Sequence, residues 1–158
     1  PRLKWTLTRP TPTSRLRLEL PLRAVLEFNG GVREQGMAFE PSLTHETRDI
    51  GGGWSLSTSG SLVYGDSKLN GYFYGVDKQY VTQQRPAFDA QAGLIAARLG
   101  FATSKSLTPD VRVFGFVRFE SYADAANRQS PLFLNSTGSV IGIGMNWTVG
   151  RSASRVSE

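Results

Sequence analysis

The chain contains no cysteine, so neither a disulfide framework nor a thiolate metal site can be built from it. His45 is the single histidine, which leaves a transition-metal site short of its usual ligands, and no cofactor is expected. No apolar run approaches the roughly 20 residues of a membrane helix. The triplet Gly51-Gly52-Gly53 lacks the Lys-Ser/Thr that would make it a phosphate loop. Net charge is +5, but the arginines are spread along the chain rather than gathered into a stripe, which argues against nucleic acid. The chain does not start with methionine, and its first residues lack the charged, apolar and small-residue pattern of a signal peptide.

What is present is alternation. Arg15 to Phe28 reads RLRLELPLRAVLEF. Leu16, Leu18, Leu20, Leu22, Ala24, Leu26 and Phe28 form one set; Arg15, Arg17, Glu19, Pro21, Arg23 and Glu27 form the other, with Val25 an apolar intruder. A period of two means strand, because successive side chains point to opposite faces. A globular strand has about 5–6 residues, whereas a tilted strand crossing a bilayer needs about 9–11. One face suits lipid and the other carries charge, the signature of a transmembrane β-barrel. A soluble sandwich or lipocalin-like barrel would also alternate, but with shorter strands and fewer charges between the apolar positions.

Six further segments read as strands: Leu3 to Thr8, Gly36 to Thr47, Trp54 to Tyr64, Asp89 to Ser104, Val111 to Tyr122 and Ser139 to Val149. Trp54 and Tyr64 sit near the two ends of theirs, where amphipathic rings favour the headgroup region. In the fifth, Ile95, Ala97, Leu99 and Phe101 are expected to share a face, with Arg98 on the other. The connections after strands one, three and five are tight. Two of the others, Asp66 to Phe88 and Ala123 to Ser136, are long. Bacterial barrels place short turns in the periplasm, and single-chain barrels have an even strand number. Seven strands with an outside start therefore predict missing upstream strands: residues 1–149 form the C-terminal part of a larger antiparallel barrel, and 150–158 a periplasmic tail.

Several segments, in order, resemble the MipA/OmpV family of outer-membrane proteins. They are LRLELPLRAVL (Leu16 to Leu26), FEP (Phe39 to Pro41), YFYGVD (Tyr72 to Asp77), RPAFDAQAG (Arg85 to Gly93), LTPDVRVFGFVRF (Leu107 to Phe119) and QSPLF (Gln129 to Phe133). The resemblance covers about Arg15 to Val149, and Gly142, Met145 and Trp147 resemble a barrel-insertion signal. It implies a location in the bacterial outer membrane, in contact with its lipid. It also implies a scaffold linking a lytic transglycosylase to a murein synthase; other members are described as porin-like.

Candidate functional residues fall into two groups. Arg15, Arg17, Glu19, Arg23, Glu27, Arg98, Arg112, Arg118 and Glu120 are expected to face the lumen. They form either an anion-favouring pore lining or cross-strand ion pairs filling a narrow barrel. Phe114 and Phe116 on that face favour the filled interior. Tyr72, Phe73, Tyr74, Arg85 and Phe88 form a loop suited to glycan or protein recognition, or else a cap on the barrel with Arg85 paired locally. No catalytic residue is predicted: His45 and Glu46 are adjacent in a strand and point to opposite faces. A scaffold would bind through Thr47 to Gly53, Ser104 to Asp110 and the tail from Gly150; a channel would conduct ions.

Overall fold

A computed structural model describes residues 1–150, so only Gly150 of the expected tail lies among the described residues. The strands are β1 (Arg2–Thr11), β2 (Ser14–Phe28), β3 (Val32–Phe39), β4 (Ser42–Thr47), β5 (Trp54–Gly65), β6 (Gly93–Ser106), β7 (Val111–Ser121) and β8 (Thr137–Trp147). All pairings are antiparallel, and the strands follow one another in chain order, except that β3 and β4 both lie between β2 and β5 without pairing each other. The result is the all-β, up-and-down sheet expected. Among the described residues β1 and β8 lie at its two edges.

The third predicted strand needs correction. It starts at Val32 rather than Gly36 and is broken at Glu40–Pro41 into β3 and β4, which occupy one place in the sheet. β4 pairs the first half of β2, with Leu18 opposite Leu43, and β3 pairs the second, with Leu22 opposite Phe39. Pro41 brings no N–H, but its carbonyl still accepts from Leu62 N at 3.2 Å, and Glu40 N donates to Pro21 O at 3.2 Å. Hydrogen bonding therefore continues across the break. β1 is also longer than Leu3 to Thr8 and runs through Pro10; a proline is tolerated on an edge strand, here within the register shift between Thr8 and Thr11.

The pairing register carries the two faces across the whole sheet. Trp5, Leu18 and Leu43 are successive partners, as are Leu99 with Phe119 and Val117 with Ile141. Most of this face is exposed: Leu3, Leu43, Leu62, Leu99, Phe119 and Ile143 all present large apolar surface. On the other face Lys4 lies opposite Glu19, Arg15 opposite Glu46, and Arg98 opposite both Ser61 and Glu120. A sheet with its apolar side outward is stable only if something apolar covers it, which is the arrangement of a barrel in lipid. No helix is long and apolar enough to cross a membrane.

Two local features explain residues that break the alternation. A bulge opposite Val63–Tyr64 turns Ile95 away from the Ala97, Leu99 and Phe101 face, against expectation. Its Cδ1 lies 2.8 Å from where a Cβ on Gly65 would stand, on the side where Leu69 and Asn70 pack. On β8, Gly142 and Gly144 leave room for the rings of Phe116 and Phe114; a Cβ on Gly142 would come within 2.6 Å of the Phe116 ring. The two phenylalanines thus fill space above their cross-strand partners.

Candidate functional site

Among the described residues, four carboxylates of the polar face are each gripped by several cations. Glu19 takes Arg2 at 3.3 Å and Lys4 at 3.6 Å. Glu46 takes Arg15 at 2.7 Å, Arg17 at 3.4 Å and Arg48 at 2.6 Å. Glu40 takes Arg23 at 2.6 Å and Arg98 at 2.9 Å, and accepts from Ser61 Oγ at 3.2 Å. Glu120 takes Arg98 at 2.7 Å and Arg118 at 3.2 Å. Arg98 therefore bridges two carboxylates on different strands. Its Nε–Glu120 contact is close but lacks hydrogen-bond alignment, so it is mainly coulombic.

Of the nine predicted polar-face residues, the structure brings Arg15 and Arg17 to Glu46, Arg23 and Arg98 to Glu40, and Arg98 and Arg118 to Glu120. Glu19 pairs at the β1 edge. Glu27 accepts from the side chain of Gln35, the residue left over at the β2–β3 bulge. Arg112 stands apart, exposed, and donates to Ser106 Oγ at 3.4 Å. Sequence reasoning missed Glu40 and Glu46 as the centres of two clusters. Their alternation with Ser42 and Thr44 was visible, but, Arg48 apart, the partners come from other strands 17 to 58 residues away.

At the opposite end from the tight turns, the polar face changes character. The Asp66 to Phe88 connection holds a helix, α1 (Ser67–Tyr74), that sequence reading placed as a loop. Asp66 caps it: Oδ1 accepts from Leu69 N at 2.8 Å, while Oδ2 accepts from Met37 N of β3 at 2.9 Å. One side chain thus starts the helix and ties it to the sheet. Gly36 lies beneath, with φ of 120°, and a Cβ there would stand 2.5 Å from Leu69 N. Leu69 and Asn70 are fully buried, with Val63 and Ala96 among the few other buried side chains. Val25, the intruder in the charged set, pairs with Gly36 and so belongs to this covered zone.

The second long connection locks onto the first. Asn127 and Gln91 exchange two hydrogen bonds, side-chain amide to backbone, both 2.8 Å. Ser130 Oγ donates to Tyr74 O at 2.6 Å, and Ala126 N donates to Leu94 O at 2.8 Å. Tyr74 and Phe133 rings lie 6.5 Å apart. Burial pushes the Tyr74 phenol above its usual range. Tyr122, at the root of this connection, donates to Glu120; burial first, then that hydrogen bond and charge, push its phenol up to about 12.

The predicted loop residues divide. Tyr72 and Phe73 are about half exposed, edge to face at 5.4 Å. Tyr74 turns inward. Phe88 pairs with Val76, which is buried. Arg85 points back, donating twice to Tyr80 O at 2.9 and 3.2 Å.

His45 lies on the apolar face, with Ser14 Oγ 2.8 Å from its Nε2. Glu46 is turned to the other face and held by three arginines, so it does not orient His45. A hydroxyl–imidazole pair without that third group is a strand-end contact rather than a triad. Among the described residues no His, Cys, Asp and Glu cluster could hold a metal.

Searches of curated proteins and of solved structures returned no match. A family model described as MltA-interacting protein MipA matches residues 2–149, every strand of the sheet included. This antiparallel β-barrel chain belongs to the MipA family.

Proposed function

We propose that the chain is an outer-membrane β-barrel that acts without catalysis, as a scaffold for enzymes of the cell envelope. The family takes its name from interaction with MltA, and the reading extends this to a lytic transglycosylase and a murein synthase held through the turns at Thr47 to Gly53 and Ser104 to Asp110. The apolar face meets lipid and the polar face lines the interior. The observation that carries the scaffold reading is the docked helix α1. With Leu69 and Asn70 fully buried against β3 and β5, the polar face is covered at the loop end rather than left open to solvent. The ion pairs of Glu40, Glu46 and Glu120 occupy the rest of that face, as side chains do in a small filled barrel.

Arg112 and Arg118 favour the rival reading, a passive channel for small solutes. Arg112 is exposed and the Arg118 side chain is 44% accessible, so cations remain reachable from solvent. One preparation separates the two. The full-length protein is solubilised from envelopes in detergent, co-purifying proteins are identified, and the same sample is placed in planar bilayers. Transglycosylase or synthase with a silent bilayer supports the scaffold. Steady conductance that shifts in Arg112→Gln or Arg118→Gln, with no such partner, makes the protein a channel.

A further inference from the structure

Where the β1–β2 hairpin meets the end of β4, a notch of about 150 Å³ is lined by Arg9, Pro12, Thr13, Ser14, Arg15 and Arg48. We propose that this notch binds the phosphodiester headgroup of an anionic phospholipid, in the leaflet that meets the tight turns. Three guanidiniums line it, and Arg17 stands behind them on Glu46. Glu46 neutralises one of Arg15, Arg17 and Arg48, and no carboxylate among the described residues pairs with Arg9. Even with the neighbouring Asp49 counted, cations are in excess. Guanidinium forks match phosphate oxygens in geometry as well as charge.

The walls are fixed before any ligand arrives. Arg48 N donates to Thr13 O at 2.8 Å, which pins the hairpin turn to the end of β4. Arg15 is held by two hydrogen bonds to Glu46, at 2.7 and 3.0 Å, and Arg48 Nε by one at 2.6 Å. Their remaining N–H groups are free to face the notch. Thr13 adds a hydroxyl at the rim.

Position selects lipid over free phosphate. Ser14 belongs to the apolar set of Leu16 and Leu18 and Arg15 to the polar one, so the notch sits at the strand-end rim between the two faces, next to the apolar face where acyl chains lie. Trp54 and Trp147 stand at strand ends on this same side of the sheet, with Lys105 Nζ 5.3 Å from the Trp54 ring centroid. Aromatic and cationic groups at one level mark a headgroup zone.

The test is native mass spectrometry of the full-length protein in detergent micelles, titrated with phosphatidylglycerol or phosphatidylcholine. Preferential retention of phosphatidylglycerol is expected. Arg9→Gln and Arg48→Gln should each weaken it about fivefold, since a cation near an anionic surface contributes at that level. Arg112→Gln, at the far side of the sheet, should leave it unchanged. Arg9 has no ion pair to lose and should fold normally; retained heat-modifiable migration on gels checks this. Equal retention of both lipids, or unchanged preference in the Arg9→Gln, Arg48→Gln double variant, overturns the proposal. So does full displacement of the lipid by millimolar inorganic phosphate, which would make the notch a free-phosphate site. The inference rests on the membrane reading: a protein that leaves the micelle sinks both, whereas a micelle-bound protein without anion preference sinks this one alone.

Discussion

At the turn side of the polar face, Glu46 is surrounded by three arginines from β2 and the chain just after β4, and water reaches them all. At the loop side the same face carries Gly36, Ala38, Val63, Gly65 and Ala96, and a helix lies over them. The first region is covered by long charged side chains that satisfy one another, the second by apolar packing and backbone contact. Charge pairs near solvent contribute little each and respond to salt; packing against glycine is all or nothing, because a single extra carbon has nowhere to go. The barrel is therefore adaptable where it meets the turns and rigidly shaped where α1 docks.

Gly36→Val gives the largest expected effect. The side chain would strike Asp66 and Leu69 at a positive φ, so clash and backbone strain together should cost on the order of 4 kcal/mol. Limited proteolysis should open the connection between Ser67 and Gln91. Gly71→Ala, within α1 but facing open space, should leave the connection protected and raise helix stability by up to about 1 kcal/mol. If Gly36→Val stays protected, α1 is not held by the sheet.

Leu69→Ala tests the same docking without strain. Its side chain is 2% exposed, and loss of a buried leucine costs about 2–5 kcal/mol. Urea unfolding in detergent should show it. Asn127→Ala removes both bonds to Gln91 and should cost about 1–3 kcal/mol, the penalty for backbone groups left unpaired. If neither variant differs from the parent, the two connections are not interlocked.

The turn side should respond less. Glu46→Gln removes the common partner of three arginines, yet their side chains are 17–57% accessible, so water screens the freed charges and the cost should stay near 1 kcal/mol. Its stability should then depend less on salt than that of the parent. Glu120→Gln should cost somewhat more, because Glu120 is only 10% accessible and anchors Arg98, Arg118 and Tyr122. Equal losses at Glu46 and Glu120 would erase the distinction drawn between exposed and covered ends.

How much of this could be read from the chain follows the same division. Alternation in β2, β5, β7 and β8 gave both faces and the antiparallel, barrel-type sheet, because a period of two depends only on near neighbours. The same period puts Arg15, Arg17, Arg98 and Arg118 at alternate positions, and the pairing register sets them opposite Glu46, Thr44, Glu120 and Gly100. What was hidden depended on contacts distant in sequence. Nothing near Val25 announces that Gly36 faces it beneath a helix. The eight residues of α1, SKLNGYFY, contain a glycine and no strong apolar periodicity; tertiary docking and the Asp66 cap make them helical. The Glu40–Pro41 break kept both its alternation and its backbone hydrogen bonds to the neighbouring strands, so the pattern ran on across two strands that share one place in the sheet. Ile95 was assigned to the wrong face because a bulge shifts the register by one.

The smallest expected effect is at Tyr122, where the two regimes meet. Its phenol sits at the root of the second connection and donates to Glu120, the last carboxylate of the charged ladder. Burial is the largest reason that it titrates near 12 rather than 10, and Glu120 adds to it. A proton held more tightly in the folded than in the unfolded chain stabilises the fold fully below the unfolded value of about 10. That contribution is lost as pH rises from there through about 12. Ultraviolet titration of the folded protein should therefore show a late phenolate that vanishes in Tyr122→Phe. In Glu120→Gln the same phenolate should appear earlier, yet still late, because the loop connection continues to bury it. If Glu120→Gln returns it fully to the range of an ordinary tyrosine, charge alone holds the proton. The packed end would then reach less far along β7 than the buried Ala125 and Asn127 imply.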